Sequence, residues 1–205
     1  MYIPKLNQET DLNTLQDFMM AHNFAMLVNH HDNQLDATHL PLMLDRERGE
    51  YGTLIGHLAR ANKQWKSFGE DEVLVIFNGP HAYISPTWYE NHPSVPTWNY
   101  ATVHAYGVPH IVEEQADIDA ALHRLVKNHE HYRNPEWVMD LPNDFMDTMR
   151  KAIVAFEIEI TRLEGKFKLS QNKSDTDKQT VIGELLKSTY GEEVATGQLM
   201  KRREQ

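Results

Sequence analysis

The sequence predicts a mainly β, α+β domain: a small antiparallel barrel with helices at its periphery. Three observations predict it. Short apolar runs separated by turn residues follow one another from residue 24 to residue 113. The apolar period then lengthens to that of a helix across residues 116–149. A single alternating stretch, residues 153–163, returns afterwards as a late strand.

The elements follow in order. Residues 10–22 place Leu12, Leu15, Phe18 and Met19 on one helical face, with Thr10 as the expected N-cap. Residues 24–30 read as a buried strand, and Asp32-Asn33 is a good turn pair. Residues 34–45 form a second strand that Pro41 must break. After a turn at Gly49, residues 51–58 make a third strand, whose glycines mark a bulge or a close approach. Residues 62–68 suit a short helix or turn. Residues 73–77 and 82–85 are the next strands, and residues 98–106 and 108–113 are expected to form a hairpin about Gly107. Residues 116–131 carry Ile118, Leu122, Leu125, Val126 and His129 on one helical stripe. Residues 144–149 form a second helical piece. In residues 153–163, Phe156, Ile158 and Ile160 share one face of a long strand, opposite Glu157 and Glu159. Residues 175–187 and 192–203 are helical.

Composition narrows the function. Cysteine is absent, which removes disulfides, thiolate catalysis, iron–sulfur clusters and cysteine-type zinc sites. No run is long and apolar enough for a membrane helix, and the first residues lack a secretory pattern, so cytoplasmic residence is expected. The formal net charge of −10 opposes direct DNA binding, which depends on Lys and Arg at phosphates. The 12 histidines include no HExxH pair, and no metal site is assigned. Walker and dinucleotide glycine motifs are missing, as is the G-x-S-x-G elbow around Ser85, so no catalytic residue is assigned.

What remains is a dense aromatic stretch, residues 73–107, with Trp88, Tyr89, Trp98 and Tyr100 set among Pro and Asn. Such a mixture suits either the walls of a site for a flat ligand or a loop packed on a barrel. Two further stretches offer groups for a phosphate: Gly56-His57-Leu58-Ala59-Arg60-Ala61-Asn62, and the segment from Leu163 to Lys173. In the latter, alternation puts Lys166 and Lys168 on one side.

In their order along the chain, four segments resemble the PaiB-type family of FMN-binding negative transcriptional regulators. They are GHLARAN (56–62), FNGPHAYISPTWY (77–89), VPTWNY with VHAYG (95–107) and LEGKFKLSQNK (163–173). The resemblance implies an FMN-binding split barrel similar to pyridoxamine-phosphate-oxidase-like folds. Residues 1–173 would form that domain, with a helical insertion near 116–149, and 174–205 a helical extension packed on it. It also implies a homodimer with flavin sites at the interface.

Carried over by position, Arg60 and Lys168 are the first candidates for the FMN phosphate, with Lys166 and Ser85 behind them. His57, Asn62 and Gln171 are candidates for the phosphate, ribityl chain or flavin edge. Trp88, Tyr89, Trp98, Asn99 and Tyr100 would wall the ring or the dimer seam. The chain departs from the family pattern in two places. Lys63-Gln64 stands where relatives have Pro-His. The loop after Tyr89 is short and lacks a lysine, with Asn91 or His92 as replacements. The reading that follows is an FMN-binding regulator, acting indirectly or as a flavin-dependent sensor. The alternatives are an FMN-dependent oxidoreductase using NAD(P)H, and a dimeric module for another planar ligand such as haem.

Overall fold

The computed structural model describes residues 1–69 and 71–204. Their elements are β1 (Gln8–Glu9), α1 (Leu12–Ala21), β2 (Phe24–His31), β3 (Gln34–Pro41), β4 (Met43–Asp45), β5 (Thr53–Ala59), β6 (Val73–Ile84), β7 (Thr97–Gly107), β8 (Pro109–Ile111), α2 (Gln115–Glu130), α3 (Asn143–Lys151), β9 (Ile153–Glu159), β10 (Arg162–Lys168), α4 (Asp175–Leu186) and α5 (Gly191–Arg202). The chain divides into two units. The first comprises Met1–Phe18, Phe77–His104 and Glu164–Gln205; the second comprises Met19–Ile76 and Ala105–Leu163.

In the first unit the strands are ordered β1-β10-β7-β6. One sheet face is apolar and buried, with Ala82 and Ile84 on β6, Ala101 and Val103 on β7, and Phe167 on β10. Phe18 of α1 packs on Phe167 with ring centroids 5.1 Å apart. The other face shows His81, Tyr83 and Trp98 to solvent, as period-2 alternation dictates. Ser174 caps α4 by accepting from Asp177 N at 3.1 Å. α4 and α5 are both largely apolar where they meet, through Val181, Ile182, Leu185, Thr196, Gly197 and Met200.

In the second unit, β6-β2-β3 and β4-β5-β9-β8 are the strand orders. Asp32 and Asn33 have φ of 50° and 60°, the left-handed pair that a two-residue hairpin between β2 and β3 requires. Leu27, Leu54, Phe156 and Ile158 are fully buried, and Phe68 meets Phe156 edge-on at 5.1 Å.

Three local expectations are corrected. The α1 cap is Asp11, whose carboxylate accepts from Thr14 N at 2.8 Å, and not Thr10. Residues 153–163 are not one strand. The alternation holds, but the chain leaves β9 at Ile160-Thr161 and re-enters pairing as β10, beside different neighbours. Residues 98–113 are likewise not a hairpin, since β8 pairs with β9. Gly107 marks this departure. A Cβ there would lie 2.2 Å from the Glu159 carbonyl oxygen, so only glycine lets the two backbones approach. Thr161 N and Ile160 N close the crossing by donating to Tyr106 O and Gly52 O at 2.9 and 3.0 Å. Among the described residues no helix is long and apolar enough to cross a membrane.

Candidate functional site

The first unit holds a cleft of about 300 Å³. Pro4, Leu6, Val95 and Pro96 supply apolar lining, and Tyr89, Asn99, Lys168, Ser170 and Lys173 supply polar groups together with Asn7, Thr97 and Asn172. Sequence places these groups locally. The Lys166-Phe167-Lys168 alternation buries Phe167, so both lysines face the opposite side. Ser170 then sits at φ 64°, a left-handed conformation unusual for a residue with a side chain. A reciprocal pair of hydrogen bonds with the buried Asn99 amide, at 2.9 and 3.2 Å, holds it there.

The cleft retains unspent donor capacity. Tyr89 is 3% exposed, and its hydroxyl has no hydrogen-bond partner among the described residues. Burial raises its pKa; Ser170 lies near enough to oppose that rise but not in bonding geometry, and Asp177 reinforces it. The Lys173 ammonium lies 4.0 Å from the Tyr89 ring centroid. The Lys168 ammonium donates to Thr97 Oγ1 and Trp98 O, each at 2.5 Å, which leaves one of its three N–H groups. Burial, then Lys166, pulls its pKa down. The loop that carries Tyr89 is tied down by Asp177, whose carboxylate accepts from Glu90 N at 2.8 Å and Asn91 Nδ2 at 3.2 Å. Two ammonium groups, an unpaired buried hydroxyl and apolar walls fit a ligand that is apolar along its length and anionic at one end.

The other expected residues of this unit lie elsewhere. Ser85 caps the short 3-10 turn at Pro86–Trp88 and shares a hydrogen bond with Thr87. Trp88 is half-buried in that turn. Trp98 sits on the exposed sheet face, with Tyr83 and His81 at 6.0 and 6.1 Å between ring centroids. Lys166 lies 5.3 Å from the Tyr100 ring. Gln171 closes its own turn, bonding Leu169 N and Phe167 O.

In the second unit the GHLARAN residues are engaged by protein. Arg60 donates from Nε to Lys151 O at 2.8 Å and from Nη2 to Ile153 O at 2.7 Å, fixing the α3–β9 turn. Asn62 accepts from Gln64 N at 3.0 Å and donates to Thr38 Oγ1 at 2.8 Å. Gln64 is buried. Its amide bonds Leu27 O, Asn29 Oδ1 and Thr38 Oγ1. His57 points away from these groups, into a narrow gap lined by Ile118, Ala121, Leu122 and Leu125 of α2, and burial alone lowers its pKa.

Sequence reasoning assigned no role to Ser170, Lys173, Asp177 or Gln64. Ser170 and Lys173 lie within the LEGKFKLSQNK segment, whereas the roles of Asp177 and Gln64 depend on distant segments.

Comparison with known proteins places these geometries. Residues 1–162 match the FMN_bind_2 family, described as "Putative FMN-binding domain". The chain is 37% identical over 186 residues to Protease synthase and sporulation protein PAI 2 of Bacillus subtilis (strain 168), covering 90% of this chain and 89% of that protein. Among solved structures it resembles the flavocytochrome Anf3 from Azotobacter vinelandii (TM-score 0.61, 12% identity, 87% and 78% of the two chains). It also resembles the FAD and heme binding protein from Mycobacterium smegmatis (TM-score 0.60, 15% identity, 83% and 78%). These likenesses show a shared fold, and its mostly antiparallel strands with accompanying helices are the mainly β, α+β arrangement that the sequence predicts.

Proposed function

The chain belongs to the FMN_bind_2 family of FMN-binding domains, and from that premise we propose that it is a flavin-dependent sensor acting indirectly in negative transcriptional regulation. FMN is its cofactor. When bound, FMN supplies a ring that accepts and returns electrons. The residues present fit it. Lys168 and Lys173 offer charge to the phosphate, and Asn99 and Ser170 form a fixed polar wall. Pro4, Leu6, Val95 and Pro96 supply apolar surface.

The observation that carries this reading is the cleft of the first unit, with two ammonium groups and an unpaired buried hydroxyl in one wall. An indirect mode of regulation follows from charge. The first turn of α5 carries Glu192 and Glu193, and the chain has net charge −10, so neither favours a phosphate backbone. The exposed aromatic face of His81, Tyr83 and Trp98 is the surface we assign to a second copy of the chain, giving a homodimer. With no cysteine to oxidise, the cytoplasm is the compartment assigned.

An absorption spectrum of the purified protein, repeated after FMN is added and excess removed, tests the cofactor. A retained flavin band with slow bleaching by NAD(P)H supports the sensor. Rapid turnover with NAD(P)H would favour an oxidoreductase. A protein that stays colourless after FMN addition removes the reading.

A further inference from the structure

A buried hydroxyl with no partner is costly, and folded proteins rarely keep one without a use for it. Tyr89 keeps one in the wall of a cleft that also holds Lys168 and Lys173. Two neighbouring polar groups are bonded to each other. Asn99 donates to Ser170 Oγ and to the Met200 sulfur at 3.4 Å, and Ser170 donates back to Asn99. The groups here with donor capacity left are the Tyr89 hydroxyl, the Lys173 ammonium and one N–H of Lys168, beside the Asn7 and Asn172 amides, which line the same cleft and bring a donor and an acceptor each. Asp177, the nearby carboxylate, accepts from Glu90 N with one oxygen and from Asn91 Nδ2 with the other. Its charge is held against the loop.

A set rich in donors, two of them cationic, matches a group with several acceptor oxygens and negative charge. A phosphomonoester dianion is such a group, whereas an alcohol carries one oxygen and cannot accept from two ammonium groups and a phenol together. We propose that Tyr89 and Lys173 are the specificity-determining residues that separate FMN from riboflavin, by recognising the phosphomonoester. The inference rests on FMN occupying this cleft.

Flavin-fluorescence titrations of the full chain with FMN and riboflavin test it, alongside Tyr89→Phe, Lys173→Gln and a distant control, Tyr190→Phe. The parent should prefer FMN, and Tyr89→Phe should shrink that preference about tenfold or more. Tyr89→Phe should also leave the urea midpoint of the ligand-free protein unchanged or higher, because it deletes an unpaired group. A purely structural tyrosine would do the reverse. Inorganic phosphate should compete with FMN and not with riboflavin. Tight FMN binding with an unchanged preference in both cleft variants overturns the inference and leaves the FMN reading standing. If the parent binds neither flavin, the FMN reading fails and the inference falls with it.

Discussion

Two regions contain the motif residues, and they differ in how their polar groups are used. In the first unit, Tyr89, Lys168 and Lys173 have donors left over. In the second, Asn62 and Gln64 spend theirs on Thr38, Asn29 and the Leu27 carbonyl, and Arg60 spends two on the α3–β9 turn. Motifs that look alike as strings of polar residues thus divide into a region with capacity for a ligand and a region whose polarity builds the fold. Saturation by protein sets Asn62 and Gln64 apart from the cleft donors, because a ligand can take only donors that the fold has left free; Arg60 keeps three of its five N–H groups but spends the other two holding the α3–β9 turn.

The sharpest test is Gln64→Leu. It should cost about 2–4 kcal/mol in urea denaturation, because it leaves buried partners on β2 and β3 unpaired; a loss below about 1 kcal/mol would show the network to be dispensable. Next comes a pair of variants. Lys168→Ala should weaken FMN binding about tenfold or more. Arg60→Ala should lower stability by about 1–2 kcal/mol while shifting FMN affinity less than about threefold. Should Arg60→Ala instead release FMN and leave the urea midpoint in place, Arg60 joins Lys168 at the phosphate and the contrast collapses.

A pH titration follows. Burial depresses the His57 pKa below its usual value near 6.5, so the unfolded chain binds the proton more readily. Stability should be full above about pH 6.5 and fall as the pH drops toward the folded pKa; His57→Leu should flatten that slope. A parent that shows no slope there would mean that the imidazole is not enclosed beneath α2. The smallest effect is expected from Asp177→Asn, which faces one amide against the Asn91 amide. Hydrogen exchange at Glu90 N should quicken and FMN binding weaken a few-fold; unaltered exchange would show that other contacts hold the loop.

Much of this was legible in the sequence. Alternation placed Phe167 inward and Lys166 and Lys168 outward, and Asp32-Asn33 gave the left-handed turn. The order of four motifs pointed to FMN, and the matched family agrees. Pairing partners were not legible. Gly107 sits where a hairpin turn belongs, yet it serves a crossing past Glu159, because a glycine reports close approach without saying of what. The unbroken alternation of residues 153–163 hid a change of neighbours for the same reason, since period 2 records burial and not which strand lies alongside. The unpaired state of Tyr89 depends on Ser170 and Asp177, over 80 residues further on. The free donor that marks the site is therefore a property of the folded chain.

The first unit is assembled from three separate stretches, the last of which begins at Glu164. Lys168, Ser170 and Lys173 lie in that stretch, so they leave the ribosome after the whole of the second unit has been made. With synthesis proceeding from the N-terminus at about 5–20 residues per second, the second unit can begin to fold while the cleft still lacks its cations. A nascent chain stalled before Glu164 would carry the GHLARAN network but not these cleft residues. Cofactor capture by this cleft therefore waits until the residues from Glu164 to Lys173 have been made.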